Sequence, residues 1–368
     1  MRKTAALDMA VLRKKRKING VVGKIPTEPC EILRNLPEFL TKTTQGGPFL
    51  IYKDYLYEDD ESKIVLIFIS EHGKFVLRNS VELFVDGTFD LAPEPFSQIY
   101  VVLGRMADKR PVPAVFALLP DKSGDTYKTF VEVVKKEVIF RQNMPEKVML
   151  DFEKACWNAF SLHLPQSILG GCLFHLKQAV KKQITNKGLQ ILYNQQIDFN
   201  FFVKMIFSLV YIRPADVITA WEDVVLAFFD EHENDEGFDE CAEPLTDFIA
   251  YIERTWLGKK VGRSGHRQVP LFPIESWNKH NAVLNGEPLT NNYAESFNHG
   301  FASSVETSPN LLNIITAFQR KDSWAEKTLQ EESLAVGVQM DQRKRRVSDR
   351  EARRLDLQLV AELRHDAS

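Results

Sequence analysis

Asp86 and Asp151 each close a short apolar run, Asp86 after Leu83, Phe84 and Val85 and Asp151 after Val148, Met149 and Leu150. A carboxylate at the end of a buried strand is costly unless it is paired or binds a cation. Gly87, directly after Asp86, lets backbone and ligand approach closely. On strands placed side by side by a crossover, the two aspartates could share a metal; the competing reading is a cap or turn residue. Glu153, two residues after Asp151, would share its face if the strand ran on, and is a reserve ligand. Cys172 and His175 form a C-x-x-H pair. Zinc needs about four ligands, and Cys241 and His266 lie far off in dissimilar contexts, so a buried cysteine and a helix-start histidine are expected instead. Lys177 and Lys181 share one helix face, with Lys182 beside them. Glu295 falls in the first turn of a helix that Asn291 or Asn292 could cap. The helix dipole favours a carboxylate there, and nothing local marks it as catalytic.

These residues need elements to hold them. From residue 48 the chain reads as strand-like runs, PFLIYKDYLY, KIVLIFIS and VELFVDGTF. SQIYVVLGRM and VPAVFALLP follow, and the ADKRP cluster between them predicts a hairpin. Asp125 is positioned to cap a helix whose apolar face is Tyr127, Phe130, Val131, Val134 and Val138. Pro145 introduces KVMLD, a short buried strand. Residues 177–287 turn to helical periodicity, with Ile218, Trp221, Val225 and Phe228 following a helix start at Pro214. The acidic stretch at 230–243 is expected to be solvated. The basic segment around Arg254, Lys259, Lys260, Arg263 and Arg267 reads as a loop, and LLNIITAF at 311–318 opens a last amphipathic helix.

An apolar share of 44% and a charged share of 26% suit a globular protein with a real core. The net charge of −3 does not suggest a nucleic-acid binder as a whole, but the charge is uneven. RKKRK at 13–17 and RKRR at 343–346 are cationic runs, read either as solvated surface or as nuclear-import or DNA-phosphate patches. No apolar run approaches the ~18 residues of a membrane helix, and the N-terminus lacks a signal-peptide core. Four widely spaced cysteines predict a reducing compartment rather than a disulfide framework. The expectation is a soluble, nuclear protein. No nucleophile elbow, Walker loop, dinucleotide fingerprint or H-E-x-x-H occurs, which removes the commonest other chemistries.

Taken in order, VDGTFDLAPEPFSQIYVVLGRM, PVPAVFALLPDKSGDTYKTF, MLDFEKACWNAF, GCLFHLKQAV and the later FPIESWNKHNAV and PLTNNYAESFN resemble the successive blocks of Mutator-like element (MULE) transposase domains over roughly residues 28–320. The resemblance implies an α/β fold: an RNase H-like core with a mixed sheet, interrupted by a mostly α-helical insertion. The expected division is a basic arm or linker at 1–47, the first part of the core at 48–176, the insertion at 177–287, the closing helix at 288–322 and a charged tail at 323–368. Carried over position by position, the family's metal-binding catalytic acids fall on Asp86, Asp151 and Glu295, and its C-x-x-H motif on Cys172 and His175. Relatives often carry a FLYWCH- or SWIM-type zinc finger outside this core; no such pattern occurs here, so sequence-specific recognition of transposon ends is not expected of this chain.

The activity so implied is DNA cleavage and strand transfer at transposon ends, using two Mg²⁺ (or Mn²⁺) ions. The implied partner is double-stranded DNA, held by Lys177, Lys181, Lys182, Lys259, Lys260 and Arg263, with a homo-oligomer allowed for and no membrane. The alternative is a domesticated, catalytically silent transposase that binds DNA or chromatin. A third class is a structural RNase H-like domain with protein partners alone.

Overall fold

The computed structural model describes residues 26–107, 109–138, 144–231, 241–262, 266–305 and 310–334. The apolar runs pair into one seven-stranded sheet. Its strands are β1 (Leu50–Tyr57), β2 (Asp60–Phe68), β3 (Ser80–Thr88), β4 (Gln98–Met106), β5 (Val112–Leu119), β6 (Lys147–Leu150) and β7 (Ile168–Gly171). The order across the sheet is β1-β2-β5-β4-β3-β6-β7. β3, β4 and β5 form an antiparallel meander, and β6 and β7 add in parallel beyond β3. The order from β5 to β7 is that expected of an RNase H-like core, and the β1–β2 hairpin extends it by pairing with β5. All eight residues of β5 are buried, which explains why its run is continuously apolar rather than alternating.

Helices cover both faces of the sheet. On one side lie α1 (Pro29–Asn35) and, returning from far along the chain, the two last helices. On the other lie α2 (Glu71–Asn79), α3 (Gly124–Val138) and α4 (Lys154–His163). The described elements that follow are helical: α5 (Leu173–Asn186), α6 (Gln190–Gln195), α7 (Ile197–Ser208), α8 (Val217–Glu231), α9 (Ala242–Ile252), α10 (Ile274–Trp277) and α11 (His280–Leu284). The chain then returns to the sheet as α12 (Asn292–Ala302) and α13 (Leu311–Leu334). Phe318 of α13 stacks on Phe116 of β5 at 4.9 Å and on Phe301 of α12 at 5.6 Å, and meets Phe68 of β2 edge-on at 5.7 Å. Burying four aromatic rings together holds the returning segment against the core.

Several local expectations change. Residues 26–47 are not a bare arm: Ile32, Leu36 and Leu40 are buried against the face that α12 and α13 cover. Asp125 does not cap α3. Ser123 Oγ accepts the Thr126 N–H at 3.2 Å, while Asp125 takes a hydrogen bond from Tyr57 at 2.9 Å. Pro214 opens a single 3₁₀ turn before α8 rather than the helix itself. The last helix runs past residue 322 and buries Ala325 and Leu329. Most of the acidic stretch, Arg263 and both cationic runs lie outside the described residues.

Asp322 of α13 is buried and accepts a hydrogen bond from Ser70 Oγ at 2.6 Å, the same hydroxyl that caps α2 through the Gly73 N–H. Burial pushes this carboxyl up to about 6, against the opposing Ser70 bond. Because the folded value lies above the ordinary 3.8, the folded state binds the proton more tightly. Its penalty is therefore absent below about pH 4 and grows as pH rises to about 6. Asp322→Asn keeps the acceptor and removes the charge, but its buried N–H₂ needs a partner. The expected gain is about 1–2 kcal/mol at pH 7.5 and near zero at pH 4, measured by urea unfolding at both. Equal effects at the two pH values would refute the cause.

Candidate active site

The parallel register of β3 and β6 brings the aspartates together. Phe84 is paired with Met149, so Asp86 and Asp151, each two residues further on, stand side by side, Asp151 just past the end of β6 and Asp86 within β3 opposite Val101 of β4. Asp86 is 7% exposed. Its Oδ1 accepts the Gly87 N–H at 3.0 Å, and its Oδ2 accepts from Asn298 Nδ2 at 2.6 Å. Burial pushes its carboxyl up to about 7, and the neighbouring Asp151 adds to this, with His175, Asn298 and Gly87 opposing. Two carboxylates crowded into a buried site favour a shared proton or cation.

His175 lies at the centre of the cluster. Its Nδ1 is 2.6 Å from Asp151 Oδ1, although neither atom makes a well-aligned hydrogen bond. Burial alone would lower its pKa, but Asp151 and Cys172 outweigh burial and hold it at about 11. Ligand atoms of Asp86, Asp151 and His175 all lie within 4.8 Å of one another, and so do those of Cys172, His175 and Glu295. The two groups meet at His175. Cys172 is fully buried at the start of α5, and its Sγ donates to Glu295 Oε1 at 3.4 Å.

Glu295 arrives on α12, which is fastened to the strand ends on both sides of it. Asn291, fully buried, makes no side-chain cap; its Nδ2 donates to Val85 O at 3.2 Å, one residue before Asp86, and its N–H donates to Cys172 Sγ at 3.2 Å. Asn298, one turn beyond Glu295, holds Asp86. Neither asparagine was singled out as a site residue, although the three-residue spacing from Glu295 to Asn298 puts both on one helix face. Asn298→Ala should lower divalent-metal affinity and any activity that depends on it by about 10–100-fold, the usual cost of losing a partner behind a ligand. Calorimetric titration with Mn²⁺ checks this, and an unchanged affinity would remove Asn298 from the site.

Two further positions were missed. Lys279 is 5% exposed and donates to Gly171 O at 2.7 Å, fixing the residue before Cys172. Burial pushes its ammonium down to about 8, against the pull of Cys172 and Glu82. Phe152, directly after Asp151, packs on Trp157, Trp256 and Phe272 at 6.0, 4.7 and 5.1 Å. Trp256 and Phe272 come from the helical segment, so that segment buttresses the end of β6. A cleft of about 450 Å³ opens beside them, rimmed by Lys187, Arg254 and Asp247.

The other candidates separate. Glu153 does not join the cluster: it accepts from Tyr127 at 3.1 Å and lies 3.8 Å from Lys122. Lys181 and Lys182 are exposed on α5, whereas Lys177 is half-buried, with its ammonium 5.7 Å from the centre of the Phe207 ring. Lys259 is exposed, and Lys260 reaches Glu222 at 3.5 Å.

Asp86 and Asp151 offer hard oxygen donors, and Asp151 Oδ1 is buried without an aligned partner. This donor set fits a divalent cation. Fold and site together define a mixed α/β protein with paired aspartates on the adjacent strands β3 and β6. Residues 82–179, from β3 into α5, match the family model of the MULE transposase domain. The match over that stretch suggests a transposase-related function. The matched stretch includes Asp86, Asp151, Cys172 and His175, while Glu295 lies beyond it. No curated protein matches the chain.

Proposed function

We infer that this chain is the catalytic region of a MULE-type DDE transposase, cleaving DNA at transposon ends and transferring the strand. The observation that carries this is the pairing of Asp86 with Asp151 across the adjacent strands β3 and β6, with Glu295 brought back on α12. Asp86, Asp151 and Glu295 would hold two Mg²⁺ (or Mn²⁺) ions, which when bound supply Lewis acidity and an activated oxygen nucleophile for in-line displacement. Asn298 orients Asp86, and the charged His175 offsets the negative charge at Asp151. Lys181 and Lys182 bind the phosphate backbone. Nuclear residence, proposed from the runs at 13–17 and 343–346, is tested by imaging a tagged chain with both neutralised.

The direct test is Mg²⁺- or Mn²⁺-dependent cleavage or strand transfer on a pre-nicked duplex. Retained DNA binding with no chemistry under either ion would replace this reading with the silent DNA-binding one. The latter is favoured by one observation, the 2.6 Å contact by which His175 Nδ1 occupies Asp151 Oδ1. Binding has its own signature. Neutralising Lys181 and Lys182 together should flatten the slope of log affinity against log salt by up to about 1.8, at about 0.9 per phosphate contact. An unchanged slope would place the DNA elsewhere.

A further inference from the structure

Cys172 remains unused by the chemistry above, although it touches the third acid of that site. Its Sγ lies 3.4 Å from Glu295 Oε1, and both share a cluster with a ring nitrogen of His175, all ligand atoms falling within 4.8 Å. We propose that Cys172, His175 and Glu295 form a second cation site, for a borderline-soft divalent ion such as Zn²⁺.

The geometry suits such an ion. With Zn–S at about 2.3 Å and Zn–O at about 2.0 Å, a tetrahedral edge between sulfur and oxygen spans about 3.5 Å. The observed separation of 3.4 Å matches it without movement of either residue. The ligands come from a braced frame. The Cys172 N–H donates to Leu150 O at 3.0 Å, its Sγ accepts the Asn291 N–H, and Lys279 grips Gly171 immediately before it. Three protein ligands leave a fourth position for water, as in open zinc sites. Sulfur and imidazole select Zn²⁺ or Co²⁺ over Mg²⁺, which prefers oxygen and octahedral geometry. Binding would release the Cys172 thiol proton to solvent, so the site is a thiolate site when filled.

The proposal rests on the transposase reading for its consequence. Through Oε1, the atom already beside Cys172, Glu295 would turn to the second cation. Zn²⁺ at this site therefore withdraws Glu295 from the oxygen set and acts against Mg²⁺ or Mn²⁺.

The experiment titrates the full metal-free chain with Co²⁺ and reads the sulfur-to-cobalt charge-transfer band. The expected result is a saturable band, displaced by equimolar Zn²⁺, absent in Cys172→Ser and retained in Asp86→Asn. Glu295→Gln should weaken Co²⁺ at least about tenfold while the band persists, and it decides the matter if Cys172→Ser fails to fold. No band at any Co²⁺ excess overturns the proposal, as does a band that survives Cys172→Ser or an affinity untouched by Glu295→Gln. Loss of the band leaves the transposase reading standing if Mg²⁺-dependent cleavage persists. Loss of cleavage leaves the cation site standing if the band is present.

Discussion

Asp151→Asn is expected to lower DNA cleavage by at least about 10³-fold, about 4 kcal/mol of barrier, with DNA affinity almost unchanged. The amide has nearly the volume of the carboxylate, so the packing of Phe152 and the bond from Trp157 Nε1 to the Asp151 carbonyl, 2.6 Å, should survive. What disappears is one of the two charges that a cation would bind, and the anionic partner of His175. On the proposed reading, affinity for DNA would come from other residues, the exposed lysines of α5, through phosphate contacts that carry no dependence on this carboxylate. The two quantities should therefore separate: cleavage lost, and binding and its salt slope kept. A fall in both together would mean that Asp151 supports the fold rather than the chemistry. Far-UV and near-UV circular dichroism on the same sample distinguishes these outcomes.

The strands were legible because they are short apolar runs with turn chemistry between them, and β3 to β6 fall where those runs lie. Asp86 and Asp151 could be picked out because a carboxylate closing an apolar run is conspicuous, although β3 runs on past Asp86 to Thr88. The pairing of Phe84 with Met149 that sets them side by side was not legible, since register depends on contacts between segments over sixty residues apart. Glu295 shows the limit more sharply. Its local sequence says only that a helix starts well, and the resemblance alone pointed to it as an acid of the site. Its surroundings, Asn291 on Val85 and Cys172 on the carboxylate itself, are contacts across 206 and 123 residues. Glu153 is the converse case. Its spacing after Asp151 suggested a shared face, but β6 ends at Leu150 and the chain turns, sending Glu153 to Tyr127 and Lys122. Lys279 was hidden by composition: a lysine is usually exposed, and nothing in its own segment reveals the Gly171 carbonyl that holds it.

Gly171→Ala should damage both stability and cleavage, whereas Gly170→Ala, one residue earlier, should be nearly neutral. A methyl added at Gly171 would overlap Phe152 Cζ and Cε1 and lie 2.7 Å from Cε2, while one at Gly170 meets nothing within 4 Å. The ring cannot simply step aside, because Trp157, Trp256 and Phe272 surround it. Either Phe152 shifts and carries Asp151 with it, or β7 moves and carries Cys172, which follows Gly171 directly. Overpacking of this kind costs about 1–3 kcal/mol in general, and a rigid aromatic wall puts the expected loss near about 3 kcal/mol. Both routes of relief move a residue of the cluster, so cleavage should fall by more than the loss of folded protein explains, by about 10²-fold at a temperature where the variant is still folded. Thermal unfolding and single-turnover cleavage of the two alanine variants side by side make the comparison. If Gly171→Ala loses stability but cleaves normally per folded molecule, the aromatic packing behind Asp151 supports the fold without positioning the aspartate. If it behaves like Gly170→Ala in both measurements, the tight approach of Phe152 to β7 is not a feature of the protein in solution.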